Sequence, residues 1–259
     1  MSAPTRDSIT LRAIGRSLSP PEIGGWFMIL LPVLLGILAR PSWAGGALAL
    51  AGFTAFLLRV PLKQLKAGVR VRVSRLLIGL GAGIMAFAGA LAFLRSGWTP
   101  FLPLLVGLPP AVYALRADLR KEGRDLAVEL AALAFFCAFA SAIPMAGGAT
   151  WKDGLRLGLL AFLSLAPGFG AVRFQLFTRR NPGEDARAPR WGMYALMLGA
   201  LAAGFGLLWA GWVGPWWWGL QVLLFGRAFA PLHRGPAWNL GVLEILADLA
   251  SLILVLRGL

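Results

Sequence analysis

Three carboxylates stand in apolar surroundings and are the residues best placed to do chemistry. Glu129 follows Asp125-Leu-Ala-Val, about one turn into an apolar run. Glu244 and Asp248 lie in Gly241-Val-Leu-Glu244-Ile-Leu-Ala-Asp248. Their spacing of four puts both on one helix face, and Ser251 continues it. Charges within hydrocarbon are costly, so such residues turn toward a bundle interior and find partners. A pair of interior carboxylates suits a proton-linked site. With Arg227 as a partner for Glu244, the same residues would instead form a structural ion pair locking two helices.

The second group is basic. Lys63, Lys66, Arg116, Arg173 and Arg179 flank apolar runs, where ammonium and guanidinium groups can hold an anionic head group without a metal. Trp26 joins them as a candidate ligand contact. Asp118, Glu122, Asp125, Glu184 and Asp185 lie among arginines or turn residues and read as solvated loop charges. Cys137 is the single cysteine and His233 the single histidine, so neither a disulfide nor a His/Cys zinc site is expected. No catalytic residue, metal or cofactor is assigned. Gly79, Gly81 and Gly83 follow no strand and read as small residues for close helix approach, not a nucleotide loop. Pro109-Pro110 and Pro167-Gly168-Phe169-Gly170 free backbone carbonyls and are expected to bend or break their helices. Broken helices of that kind line binding sites in transporters.

The elements that must position these residues are membrane helices. The chain has 259 residues, of which 58% are hydrophobic and 14% charged. Its mean hydropathy is +0.74. A soluble domain carries about 25% charged residues, so an ordinary soluble enzyme and a disordered chain are both excluded. A helix needs about 20 apolar residues to cross a bilayer. Nine runs qualify, at 23–39, 43–58, 76–94, 99–115, 126–146, 155–172, 191–211, 213–231 and 241–256. Tryptophans fall near their ends, where indole rings favour the head-group level. Residues 1–20 read as a mobile cytoplasmic tail and 21–259 as one transmembrane domain without a cleaved signal.

Orientation follows from the cations. Twenty of the 25 basic residues fall in the tail or in the connections after the second, fourth, sixth and eighth runs. By the positive-inside rule those segments are cytoplasmic, so the N-terminus lies inside and the C-terminus outside. The net charge of +14 is therefore topological. Attraction to anionic lipid follows from it, and nucleic-acid binding does not, because the loops lack interleaved stacking aromatics.

The opening Ser19-Pro20-Pro21-Glu22-Ile23-Gly24-Gly25-Trp26, with its continuation to Pro32 and Gly36, resembles the start of the YwiC-like family of bacterial membrane proteins. Gly24, Trp26, Pro32 and Gly36 match, and Ile23 stands where members carry a histidine. Arg124-Asp125-Leu126-Ala127 is similar to the family's entry to a middle helix, and Asn239-Leu240-Gly241-Val242-Leu243-Glu244-Ile245 to its close. The resemblance implies a bacterial inner-membrane location and an all-α fold. The layout is also similar to that of the UbiA-type intramembrane prenyltransferases, with nine helices and large cytoplasmic connections after spans 2 and 6. Those proteins carry Asp-rich Mg²⁺–diphosphate motifs there. This chain has Leu62-Lys63-Gln64-Leu65-Lys66 and Arg173-Phe-Gln175-Leu-Phe-Thr178-Arg179-Arg180 instead. Magnesium-dependent prenyl transfer is not expected.

Three functions fit. The first is a module holding an amphiphilic anion, a lipid or isoprenoid-type ligand, at a basic cytoplasmic mouth. The second is a secondary transporter using the intramembrane carboxylates. The third is a protein that assembles a membrane complex. Membrane lipids, anionic ones foremost, are the expected partners; protein partners are not specified.

Overall fold

The computed structural model describes residues 23–120, 125–181 and 185–225, with helical positions at 246, 249, 250 and 253. The described segments form eight helices: α1 Ile23–Ala39, α2 Trp43–Lys66, α3 Val71–Ser96, α4 Phe101–Leu119, α5 Leu126–Ala146, α6 Trp151–Arg180, α7 Arg187–Trp209 and α8 Pro215–Phe225. Six of these, α2 to α7, contain stretches long and apolar enough to cross a membrane; α1 is a shorter apolar helix. Most of the run expected at 241–256, the tail 1–20, and the residues Arg227, His233, Glu244, Asp248 and Ser251 lie outside the described residues.

Helices are what these apolar runs must form, because a backbone in lipid has to satisfy its own hydrogen bonds. Polar caps mark two starts. Ser42 Oγ accepts from the Gly45 amide at 2.9 Å before α2, and Thr150 Oγ1 accepts from the Asp153 amide at 3.2 Å before α6. Several helices outrun the apolar runs that predict them. The second run ends at 58, yet α2 continues through a buried Pro61 to Lys66. The sixth covers 155–172, yet α6 reaches Arg180. Polar residues near a membrane surface extend a helix readily, since only the hydrocarbon needs apolar side chains.

The prolines do not break their helices. Within α4 the helix runs unbroken through Pro109-Pro110, and α6 runs unbroken through Pro167-Gly168. Of the two expectations, bending or breaking, the break is corrected accordingly. Neighbouring helices supply enough packing to carry a helix past the missing amide.

Helix α5 is the hub. It packs against α1, α2, α4 and α6, while α3 lies on α2 and α7 on α6. The neighbours turn glycines toward it. A Cβ on Gly36 of α1 would meet Ile143 Cβ at 2.9 Å, and one on Gly52 of α2 would meet Phe139 Cε1 at 2.9 Å. On α4, Gly107 faces Ala138. On α6, Gly158 would bring a Cβ 2.9 Å from the Cys137 carbonyl and into Ser141 Oγ. Lipid offers helices no hydrophobic gain for associating, so close backbone approach through small residues supplies the packing. The triplet in α3 obeys this only in part. Gly81 lies against Leu58, but nothing lies within 4 Å of a Cβ at Gly79 or Gly83. Those two face away from the bundle with the exposed Leu76, Leu80 and Phe87.

Candidate functional site

The end of the bundle where α2, α4 and α6 finish and α3, α5 and α7 begin carries most of the charge. Arg59 and Lys63 lie four apart on α2, on one helix face. Both reach Asp118 at the end of α4. The Arg59 guanidinium donates to it twice, its Nη2 at 3.0 Å from Oδ1, and Lys63 Nζ lies 2.6 Å from Oδ1. One turn on, Lys66 Nζ donates to the Leu119 carbonyl at 2.7 Å. A cation satisfying a free carbonyl at a helix C-terminus also suits the helix dipole. Asp118 is buried, which corrects its reading as a solvated loop charge. The loop reading fails because α4 continues to Leu119 and α2 to Lys66, so both ends reach the same place.

A second tie joins α6 to α5. Arg173 Nη1 lies 3.4 Å from Glu129 Oε2, both side chains about one-third exposed. Glu129 sits in the first turn of α5 rather than at mid-membrane. From α7, the Arg190 guanidinium lies over the Phe174 ring, 5.4 Å from its centroid.

Between the end of α4 and the start of α5 lies a cleft of about 280 Å³, lined by Tyr113, Arg116, Ala117, Arg120, Asp125 and Val128. Arg116 and Arg120 are exposed. Among the described residues neither side chain makes an ion pair. Asp125 holds the N-cap position of α5, yet its side chain caps nothing.

The residues expected from the sequence therefore divide. Lys63, Lys66, Arg116, Glu129 and Arg173 gather at one end of the bundle. Of these, only Arg116 has a side chain without a protein partner among the described residues. Trp26 lies in the first turns of α1 and Arg179 at the end of α6, with side chains outside the described set. No convergence of Glu129 with Glu244 and Asp248 is described. Sequence reasoning passed over Arg59, Tyr113, Arg120 and the buried role of Asp118. The one available signal was the spacing of four in Arg59/Lys63 and in Arg116/Arg120, which needs the helices to run beyond their apolar stretches. Among the described residues no group of three His, Cys, Asp or Glu side chains could hold a metal ion.

The opposite end is aromatic. Trp43, Trp98, Trp151, Trp209 and Trp216 are exposed there, and Lys152 lies over the Trp212 ring at 5.9 Å. Two tryptophans after Pro215 belong to the interior. Trp217 is buried and donates from Nε1 to Ser164 Oγ at 3.2 Å, and Trp218 donates to the Leu201 carbonyl at 3.2 Å.

Apolar helices of spanning length, a glycine-packed centre and charge gathered at one end define a multi-pass α-helical membrane protein. Residues 19–144 match the family described as YwiC-like protein, the family that the opening segment resembles. The match includes Arg124-Asp125-Leu126-Ala127 and ends before the segment Asn239–Ile245. No curated protein and no solved structure matches the chain.

Proposed function

We propose that this chain sits in the bacterial cytoplasmic membrane with its charged end and N-terminus inside, and holds an anionic amphiphile at that end. Nine spans would put the C-terminus outside. The observation that carries the reading is the cleft at the α4–α5 junction. Arg59, Lys63, Lys66 and Arg173 have partners within the fold. Arg116 and Arg120 instead face a cleft beside Tyr113. A guanidinium left to solvent at a membrane surface recognises phosphate or carboxylate through its fork of donors.

The ligand's hydrocarbon would lie along the exposed outer face of α4, where Leu105, Leu108 and Val112 lead away from the cleft. Lys63, Lys66 and Arg173 then frame the site instead of gripping the ligand. Transport by intramembrane carboxylates draws no support from Glu129, which Arg173 holds at the charged end. An assembly role has no specific observation in its favour.

Native mass spectrometry of the chain released from mild detergent tests the reading. The expected result is a retained anionic lipid, lost when Arg116 and Arg120 are both replaced by Gln. A wild-type spectrum free of lipid adducts would remove the proposal.

A further inference from the structure

We infer that a second copy of this chain docks on the lipid-facing side of α4, its Trp216 indole donating to the main-chain carbonyls that Pro109 and Pro110 leave without a helix partner. The contact is separate from the anionic ligand proposed above and does not rest on it.

Proline carries no amide hydrogen, so an interior proline strips the carbonyl four residues earlier of its helical donor. Pro32, Pro144 and Pro167 do this to Met28, Ala140 and Leu163, which are buried within the bundle. Pro109 and Pro110 do it to Leu105 and Val106, which are 57% and 74% exposed. Among the described residues no side chain donates to either carbonyl. Hydrocarbon holds no water to replace the lost donor, and a bare carbonyl in it is costly. These two acceptors call for a donor from outside the described fold.

The chain itself carries a matching donor. Trp217 donates to Ser164 and Trp218 to the Leu201 carbonyl, so an indole at the start of α8 already serves a main-chain acceptor on a neighbouring helix. Trp216 is 81% exposed and makes no hydrogen bond among the described residues. Trp43, Trp98, Trp151 and Trp209 are exposed too, but at helix ends, where head-group water serves an indole. Trp216 lies lower. Its neighbours Trp217 and Trp218 sit against Gly204, five residues before Trp209 and about 8 Å in from the aromatic end. Val106 comes five residues after Phe101, where α4 starts at that same end, so it too lies about 8 Å in. Copies inserted with one orientation share these depths, which sets the donor of one level with the acceptors of the other. Val106, Pro109 and Tyr113 form one exposed stripe of α4 for the copy to dock on. The adjoining stripe of Leu105, Leu108 and Val112 stays open to hydrocarbon.

The experiment uses the full chain, labelled with donor or acceptor fluorophore on separate copies and reconstituted in phosphatidylcholine vesicles. Energy transfer is followed as the protein is diluted with lipid. Wild type should show transfer above random mixing. Trp216→Phe keeps a ring but removes the N–H, and should weaken association about three- to tenfold. Its melting temperature in dilute detergent should not move, since the indole bonds nothing in its own fold. Pro109→Ala with Pro110→Ala restores both amides, so the carbonyls close within α4. Association should weaken to a similar degree while helix content holds or rises. Combining all three substitutions should weaken it no further, because donor and acceptors belong to one contact. Random-level transfer in wild type overturns the inference. So does wild-type association in either variant, and so do losses that add in the combination, which would give the indole and the carbonyls different partners.

Discussion

Asp118 shows how much one carboxylate can organise near a membrane surface. Two cations from α2 converge on it, and the Lys66 ammonium takes the next carbonyl along α4. Removing the acid leaves Arg59 and Lys63 facing each other without their shared counter-charge. Their side chains are about two-fifths exposed, so solvent softens the penalty. Asp118→Ala is expected to cost about 1–3 kcal/mol of stability, read as a lower melting temperature in detergent. Asp185→Ala removes an exposed contact to Arg187 at 3.7 Å and should change stability by about 0.5 kcal/mol or less. Equal shifts from the two variants would mean that burial contributes nothing to the Asp118 cluster. In sequence both residues read as solvated loop charges, Asp118 among arginines and Asp185 in a turn. Only the packing of α2 against α4 separates them.

At the scale of elements, the packing of α5 is decided by what its neighbours lack. Gly158 faces Ser141 and the Cys137 carbonyl, and the carbonyl cannot move without disturbing α5 itself. Gly158→Ala should destabilise by about 1–3 kcal/mol, as overpacking of a tight core does. Gly83→Ala, at a position with open space around it, should leave the melting temperature where it is or raise it slightly. The comparison is made by thermal denaturation of the two purified variants, and a neutral Gly158→Ala would show that α5 and α6 can separate at little cost. Glycines at 79, 81 and 83 look alike in sequence, since a helical period says which residues share a face but not which face meets a partner. Gly81 against Leu58 and Gly83 in open space differ only through the placement of α3 on α2.

Across the described helices, most of the charge lies at one end and most of the exposed tryptophans at the other, Trp191 excepted. Lys66, Arg120 and Arg190 sit at helix ends on the charged side, and Trp98 and Thr150 on the aromatic side. The native thiol, Cys137, is buried, so the unmodified chain should be inert to polar maleimides and serves as its own background. Single cysteines at 66, 120 and 190 should label from one face of sealed vesicles, and those at 98 and 150 from the other. A split within the first set would overturn the alternation of helices on which the proposed site depends. Reporter fusions would then assign the charged face to its compartment.

The amino-acid sequence alone determined that this is a helical membrane chain, roughly where its eight described helices lie, and which family residues 19–144 match. Those properties follow from hydrophobic run length, from helix propagation along the chain and from local motifs, all of which are one-dimensional. Which charges are spent on each other and which have no partner among the described residues was decided in three dimensions. Lys63 and Arg116 are equally basic and equally close to apolar runs, yet one is 2.6 Å from a buried aspartate and the other lines a cleft. The difference arises because α2 and α4 end side by side. Helix-to-helix register is set by glycine contacts and ion pairs between residues dozens of positions apart, and no local pattern encodes it.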